Sequence, residues 1–220
     1  MRTLDCPCRG KAIGLSTETA ARPSTEEVLL HICCGPCAVG PVTALREQGY
    51  QVTGLWFNPN IHPAQEYHRR LESCRRFAAI EGLPLAEAGG YGLADFITRV
   101  YPRQVADPAG ARCKECYAWR LGETARIARE RGFRKLSTTL LVSPYQQHDA
   151  IVAIGSAVAA REGITFLAED WRPLFRPARE RSRAMGLYHQ QYCGCILSEA
   201  DRFAAPPQAA GQARGDRDGR

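Results

Sequence analysis

The chain of 220 residues has no run of the ~18 to 20 apolar residues that crossing a bilayer as a helix requires. Its first 25 residues carry Arg2, Arg9 and Lys11 and lack the apolar stretch of a secretory signal. With neither anchor nor export signal, the expectation is a cytoplasmic protein with no membrane partner, in a compartment where disulfides rarely persist. Phosphate loops are missing too. There is no G-x-x-x-x-G-K-[ST], and the first apolar run is not followed by Ser-Gly-Gly-x-Asp-Ser, which removes the usual ways of holding ATP. Histidine is sparse, at five, and His62 and His68 are six apart rather than the i, i+4 pair of a helical zinc site. Substrate or structural roles suit them better.

What the chain does have is cysteine. Seven of its ten fall in three tight groups: Cys33-Cys34-Gly35-Pro36-Cys37, Cys113-Lys114-Glu115-Cys116 and Cys193-Gly194-Cys195. One C-x-x-C alone is ambiguous, but three groups with short internal spacings call for a centre that takes several thiolates. A structural zinc closes with four ligands, usually as two C-x-x-C knuckles, whereas here one knuckle stands beside a vicinal pair and a C-x-C. The surplus of thiols favours an iron-sulfur centre with further cysteines beside it, with zinc as the competing metal. Cys6 and Cys8 lie in a tail rich in Gly, Ser, Thr and Pro and read as free thiols; Cys74 reads as a small core residue.

Lys and Arg exceed Asp and Glu by six and the pI is about 8.9, which favours a polyanionic partner. The basic charge is concentrated in Arg172, Arg176, Arg179, Arg181 and Arg183, interleaved with Trp171 and Phe175. Taken alone this is a solvated face, but beside other signs of nucleic acid it becomes a set of phosphate contacts. Arg69, Arg70, Arg75 and Arg76 are the alternative basic surface.

Hydrophobic periodicity predicts strands at Val28–Ile32, Gln51–Phe57, Pro84–Ala88, Lys135–Leu141 and Thr165–Ala168. Helices are expected at Cys37–Gln48, Ala64–Glu81, Leu93–Arg99, Cys113–Arg131, Gln147–Glu162 and Arg176–Met185. Such alternation implies an α/β fold, a parallel sheet covered by helices on both faces. The expected organisation is one domain over residues 27–203, between a flexible extension (1–26) and a disordered tail (204–220). Cys33 and Cys34 then follow the first strand at its carboxyl end, where open α/β sheets bind ligands. Cys113 and Cys116 share one face at a helix N-terminus, whose dipole favours thiolates. Cys193 and Cys195 flank a glycine and point the same way in extended chain, as metal ligands or as an easily reduced disulfide.

These segments together carry a resemblance. Leu-Leu-His-Ile-Cys33-Cys34-Gly-Pro-Cys37, Phe57-Asn-Pro-Asn-Ile-His-Pro63 with Glu66-Tyr67, Arg112-Cys113-x-x-Cys116-Tyr117 with Arg120-Leu121, Ser137 to Tyr145, and Tyr192-Cys193-Gly194-Cys195 with Ser198-Glu199 resemble the non-cobalamin epoxyqueuosine reductases, the QueH family. The resemblance covers about Val28 to Phe203. It implies a HUP-like fold related to PP-loop enzymes and an oxidoreductase that converts epoxyqueuosine to queuosine at the wobble position of tRNA. It also implies a 4Fe-4S cluster, a second mononuclear iron in at least some members, and an electron donor that the sequence does not name. On this resemblance Cys33, Cys34, Cys113 and Cys116 match the cluster ligands. Cys193 and Cys195 match a redox-active pair or ligands of the second iron, and Cys37 falls where the family has Cys or Asp. Gly35 stands where the family has Ala, small for small. Proton-donor candidates are Asp170, His31, Tyr145 and Tyr192, and the tRNA contacts expected are Arg172, Arg176, Arg179 and Arg183. Two other readings compete: a PP-loop-like tRNA thiolation enzyme, which the missing phosphate loop opposes, and a zinc-bound RNA-binding module, which leaves the C-x-C without work.

Overall fold

In the computed structural model, which describes residues 26–106 and 110–204, the sheet begins with β1 (Glu27–His31), whose Val28, Leu29 and Leu30 are wholly buried. Burial on both faces is why this strand is a continuous apolar run rather than an alternating one. The chain continues through α1 (Gly35–Glu47), β2 (Gln51–Trp56), α2 (Ala64–Glu81), β3 (Leu85–Glu87), α3 (Leu93–Ala106), α4 (Ala111–Glu130), β4 (Lys135–Thr138), α5 (His148–Arg161), β5 (Thr165–Phe166), α6 (Phe175–Ala184) and α7 (Ile196–Phe203). All strand pairs are parallel, in the order β3-β2-β1-β4-β5. Right-handed crossovers put α1 and α2 on one face and α4 and α5 on the other. The packing agrees, with α1 against α2 and α6, and α4 against α3 and α5. This is the α/β architecture that the alternation predicts.

The order reverses between β1 and β4, which makes the carboxyl end of that pair the crevice where ligands bind. Cys33 and Cys34 follow β1 there, and a 3-10 turn at Thr139–Val142 follows β4. No described helix is long and apolar enough to cross a membrane. The expected extension (1–26) and tail (204–220) lie, save Glu26 and Ala204, outside the described residues, as do Cys6 and Cys8.

Several boundaries differ from the expectation, each for a local reason. The fourth strand stops at Thr138 rather than Leu141, because the Thr138 hydroxyl accepts the Leu140 N–H at 3.2 Å and starts the 3-10 turn. The first helix starts at Gly35, with Pro36 in its first turn where no N–H is needed. Helix α3 runs to Ala106, beyond the expected Arg99. Helix α7 has no counterpart among the expected elements. Its cap is the Cys195 thiol, which accepts the Ser198 N–H at 3.3 Å in place of the usual hydroxyl or carboxylate.

Helices α1 and α2 cross closely at Gly35. A Cβ there would lie 2.6 Å from the backbone oxygen of Ser73, so the exchange with Ala is not a free one in this chain. Gly35→Ala is expected to lower stability by about 1–3 kcal/mol, the usual cost of overpacking, as read by chemical denaturation; an unchanged midpoint would show that α2 moves aside without strain.

Candidate metal and thiol site

The vicinal cysteines converge because the backbone leaves the strand between them. The Ile32 N–H still bonds Leu55 in the sheet ladder at 2.8 Å, but the Cys33 N–H turns to the Thr139 hydroxyl oxygen at 2.9 Å. That hydroxyl in turn donates to the Cys33 thiol at 3.2 Å. Cys34 is extended and caps α1, its sulfur accepting the Cys37 N–H at 3.3 Å. The Cys33 and Cys34 sulfurs stand 3.9 Å apart, and with that of Cys37 all three lie within 4.8 Å of one another. A metal with sulfur ligands at roughly 2.3 Å in a tetrahedron spaces them by about 3.8 Å, so the triad can hold a metal ion.

Protonation within this nest is uneven. Hydrogen bonds from Cys34 and Cys37 hold the Cys33 thiol well below its ordinary value, aided by the positive charge of Arg120 and by the Thr139 hydroxyl. Burial pushes Cys34 up, and the Cys33 sulfur pushes Cys37 up. Gln190 donates to Cys34 at 3.1 Å and to Cys37 at 3.6 Å.

A second group forms between α4 and α7. The Cys193 and Cys195 sulfurs are 3.8 Å apart, too far for a disulfide and close enough to share a proton. The Cys195 thiol donates and lowers Cys193 to about 5, while Cys195 itself is pushed up. Burial raises Cys113 and Cys116, the latter to about 11, and negative charge at Cys193 adds to both. Cys116 and Cys195 pack together with Phe96 and Val100. The four expected cluster ligands, Cys33, Cys34, Cys113 and Cys116, are therefore drawn two from each group. All eight described cysteines are free, and Cys74 is buried as expected.

The Cys193–Cys195 loop is clamped through its backbone. Arg70, only 2% exposed, donates to the Cys193 carbonyl at 3.0 Å and the Tyr192 carbonyl at 3.1 Å, and its Nε bonds Glu66 at 2.7 Å. The other Glu66 oxygen accepts from the Tyr188 hydroxyl at 2.8 Å. His62 adds to the clamp: its N–H donates to the Gly194 carbonyl at 2.8 Å and its Nδ1 accepts the Ile196 N–H at 3.3 Å. Gly194 has φ +127, and a Cβ there would lie 3.0 Å from Arg70, so glycine suits both conformation and space. Burial lowers His62 to about 4 and keeps it neutral, which gives it a structural role.

The proton-donor candidates separate clearly. His31 is buried between the Thr138 hydroxyl at 2.8 Å and the Phe57 carbonyl at 3.2 Å, and burial lowers it to about 3, so it carries no spare proton. Asp170 sits in a bidentate pair with Arg172 at 2.7 and 2.8 Å, which lowers it to about 2; at neutral pH it accepts hydrogen bonds and has no proton to give. Tyr192 donates to the His62 carbonyl, and burial raises it to about 12. Tyr145 is 80% exposed, edge-on to Phe175 at 5.8 Å.

The arginine run divides as well. Arg172 is neutralised by Asp170, and Arg181 bonds Glu81 at 2.6 Å. Among the described residues Arg176, Arg179 and Arg183 have no carboxylate partner, and Arg179 lies over the Phe175 ring at 5.9 Å. Of the alternative basic surface, Arg70 is removed by its burial and Arg75 is paired with Glu87. Sequence reasoning missed Gln190, quoted Glu66 and the stretch holding Thr139 only as parts of the resemblance with no role for either, and placed Arg70 on a basic surface. The i, i+4 spacing of Glu66 and Arg70 on α2 was a further signal, but such pairs are common on surfaces.

Removing the cation of the buried pair strands Glu66 and frees two carbonyls. Arg70→Met is expected to cost about 3–5 kcal/mol, measured by denaturation, and to speed alkylation of Cys193 as its loop loosens. Unchanged stability and alkylation would show that the loop is held by other contacts.

Residues 28–201 match the family model described as epoxyqueuosine reductase QueH. Among curated proteins of that name, the chain is 36% identical to one from Dehalococcoides mccartyi over 184 residues, covering 84% of this chain and 98% of that one. It is 30% identical to one from Thermotoga maritima, covering 80% and 91%, and 33% identical to one from Helicobacter pylori, covering 76% of this chain and 48% of that longer protein. With the match spanning nearly all of the described residues, the chain belongs to the epoxyqueuosine reductase QueH family.

Proposed function

We propose that the chain reduces the epoxide of epoxyqueuosine in tRNA to the alkene of queuosine, using an iron-sulfur cluster and cysteines beside it. One observation carries this reading: thiols from three distant segments meet in two adjoining groups at the carboxyl end of the sheet. Soft sulfur donors in this number suit iron-sulfur ligation, and a bound cluster would supply single electrons. Cys33, Cys34, Cys113 and Cys116 are its proposed ligands. Cys37, Cys193 and Cys195 remain for a second iron or, in the last two, for a redox pair. A HUP-like kinship belongs to the same proposal, and the all-parallel strand order is consistent with it.

The balance of the reaction fits the residues. Epoxide to alkene takes two electrons and two protons and releases water; oxidation of the Cys193 thiolate and Cys195 thiol to a disulfide would supply both electrons and one proton, with solvent giving the second proton and an outside donor restoring the pair. Cys195 keeps its proton at neutral pH, so it is the acid closest to a nucleophilic thiolate. Asp170, ionised beside Arg172, serves as a hydrogen-bond acceptor for the substrate. It borders a polar recess of about 230 Å³ lined by Gln146, Gln147, His148, Asp149 and Arg172. Tyr117 links that recess to the thiol-bearing helix α4: it follows Cys116 in the chain, and its hydroxyl donates to Gln146 at 2.7 Å. Tyr145, Phe175 and the unpaired Arg176, Arg179 and Arg183 offer stacking and phosphate contacts to tRNA.

Anaerobically purified protein is expected to be coloured, to contain iron and acid-labile sulfide, and to convert epoxyqueuosine in tRNA with a chemical reductant; a colourless zinc protein would sink the reading. Cys34→Ser and Cys113→Ser should lose both cluster and turnover. Cys195→Ser should keep most of the cluster absorbance while losing epoxide reduction, and complete loss of the absorbance would move Cys195 into the ligand set.

For the RNA face, joint replacement of Arg176, Arg179 and Arg183 by Ala is expected to weaken tRNA binding. It should also lower the slope of log affinity against log salt by roughly 0.7 to 0.9 for each phosphate no longer engaged. An unaltered slope with an intact cluster spectrum would make these arginines a solvated face only.

A further inference from the structure

Arg120 lies on α4 one turn after Cys116 and is 4% exposed. Its Nη2 donates to the Asn58 side-chain oxygen at 2.6 Å, and Asn58 is itself fixed by donating to the Ile32 carbonyl at 2.8 Å, next to Cys33. Its Nε has no hydrogen-bond partner, and among the described residues no carboxylate pairs with it. The contrast with Arg70, equally buried but paired with Glu66 at 2.7 Å, is direct. A buried cation without an anion is costly, so a fold that keeps one is expected to bring negative charge to it. Among the described residues, the groups beside it able to supply that charge are thiols. Arg120 stands at i+4 from Cys116 on α4, and its bond to Asn58, which holds the Ile32 carbonyl next to Cys33, brings the guanidinium to the other group as well; its charge lowers the thiols of both Cys33 and Cys116.

We propose that Arg120 is a positioning residue for charge: its unpaired guanidinium, oriented by Asn58 between the two thiol groups, offsets the negative charge of the metal-loaded site and raises its reduction potential. This rests on the iron-sulfur reading given above. Adding an electron to a thiolate-bound centre adds negative charge, and a fixed cation in a low-dielectric surrounding makes that addition easier. Removing the cation therefore moves the potential to more negative values. It leaves the number of sulfur ligands unchanged, so cluster uptake and potential are separate readouts. Asn58 is a second handle on the same charge, because a carboxylate in its place would pair with Nη2 and cancel the cation without removing it.

The test compares anaerobically reconstituted wild type with Arg120→Met, Arg120→Lys and Asn58→Asp, measuring iron content and the midpoint potential by EPR-monitored titration. Arg120→Met and Asn58→Asp are expected to bind iron and to disfavour reduction at least tenfold, a shift of about 59 mV to more negative potential for one electron. Arg120→Lys, which keeps the charge, should stay nearer to wild type. If Arg120→Met takes up no iron, the Asn58→Asp potential decides alone. Potentials unchanged in both neutralising variants overturn the proposal, as does an Arg120→Lys potential displaced as far as that of Arg120→Met. Loss of iron from all three variants would make Arg120 a packing element and also overturn it. A wild type that takes up no iron defeats the cofactor reading and this inference together, a result distinct from a loaded enzyme whose potential does not move.

Discussion

A single hydroxyl at the end of β4 sets the geometry on which the site depends. Thr139 accepts the Cys33 N–H and gives its own hydrogen to the Cys33 sulfur, so one side chain both ends the ladder of β1 and aims its first thiol. Without that exchange Cys33 and Cys34 would continue the strand and point to opposite faces. The sheet order makes the exchange available, because β1 and β4 are neighbours whose connections leave in opposite directions and open a crevice at their ends. Cys34 then caps α1 with its sulfur and brings Cys37 into the same nest.

Buried charge is handled in two different ways around this crevice. Arg70 is satisfied by Glu66 and by two carbonyls, and so serves as a fixed strut for the Cys193–Cys195 loop. Arg120 has one amide oxygen and, among the described residues, no carboxylate. The first arrangement is complete in the protein alone; the second is complete only when the thiols carry charge. On the proposed reading, metal binding and electrostatic completion of the core would be the same event.

The sequence was most legible where apolar periodicity was strong. The five strands and the long helices α2, α4 and α5 lie close to where the hydrophobic runs put them, and the carboxyl-end placement of Cys33 follows from β1 alone. The strand end at Thr138 and the helix α7 were not legible, because each is set by a side chain capping a turn: a threonine at the first, a thiol at the second. Arg70 read as a surface cation and is a buried one, since the partners that bury it, the Tyr192 and Cys193 carbonyls, lie more than a hundred residues away. Asp170 has a carboxyl group suited to acid catalysis on paper, but its next neighbour but one, Arg172, fixes it as an anion.

The thiol groups are contributed by residues from Cys33 to Cys195, so the first and last segments of the described fold meet at one place. A nascent chain that has emerged as far as β5 holds one three-thiol nest and one C-x-x-C but not the loop that closes the site. The seven thiols are therefore together only late in the life of each molecule, after release of the C-terminal segment, so the order of synthesis itself delays completion of the site.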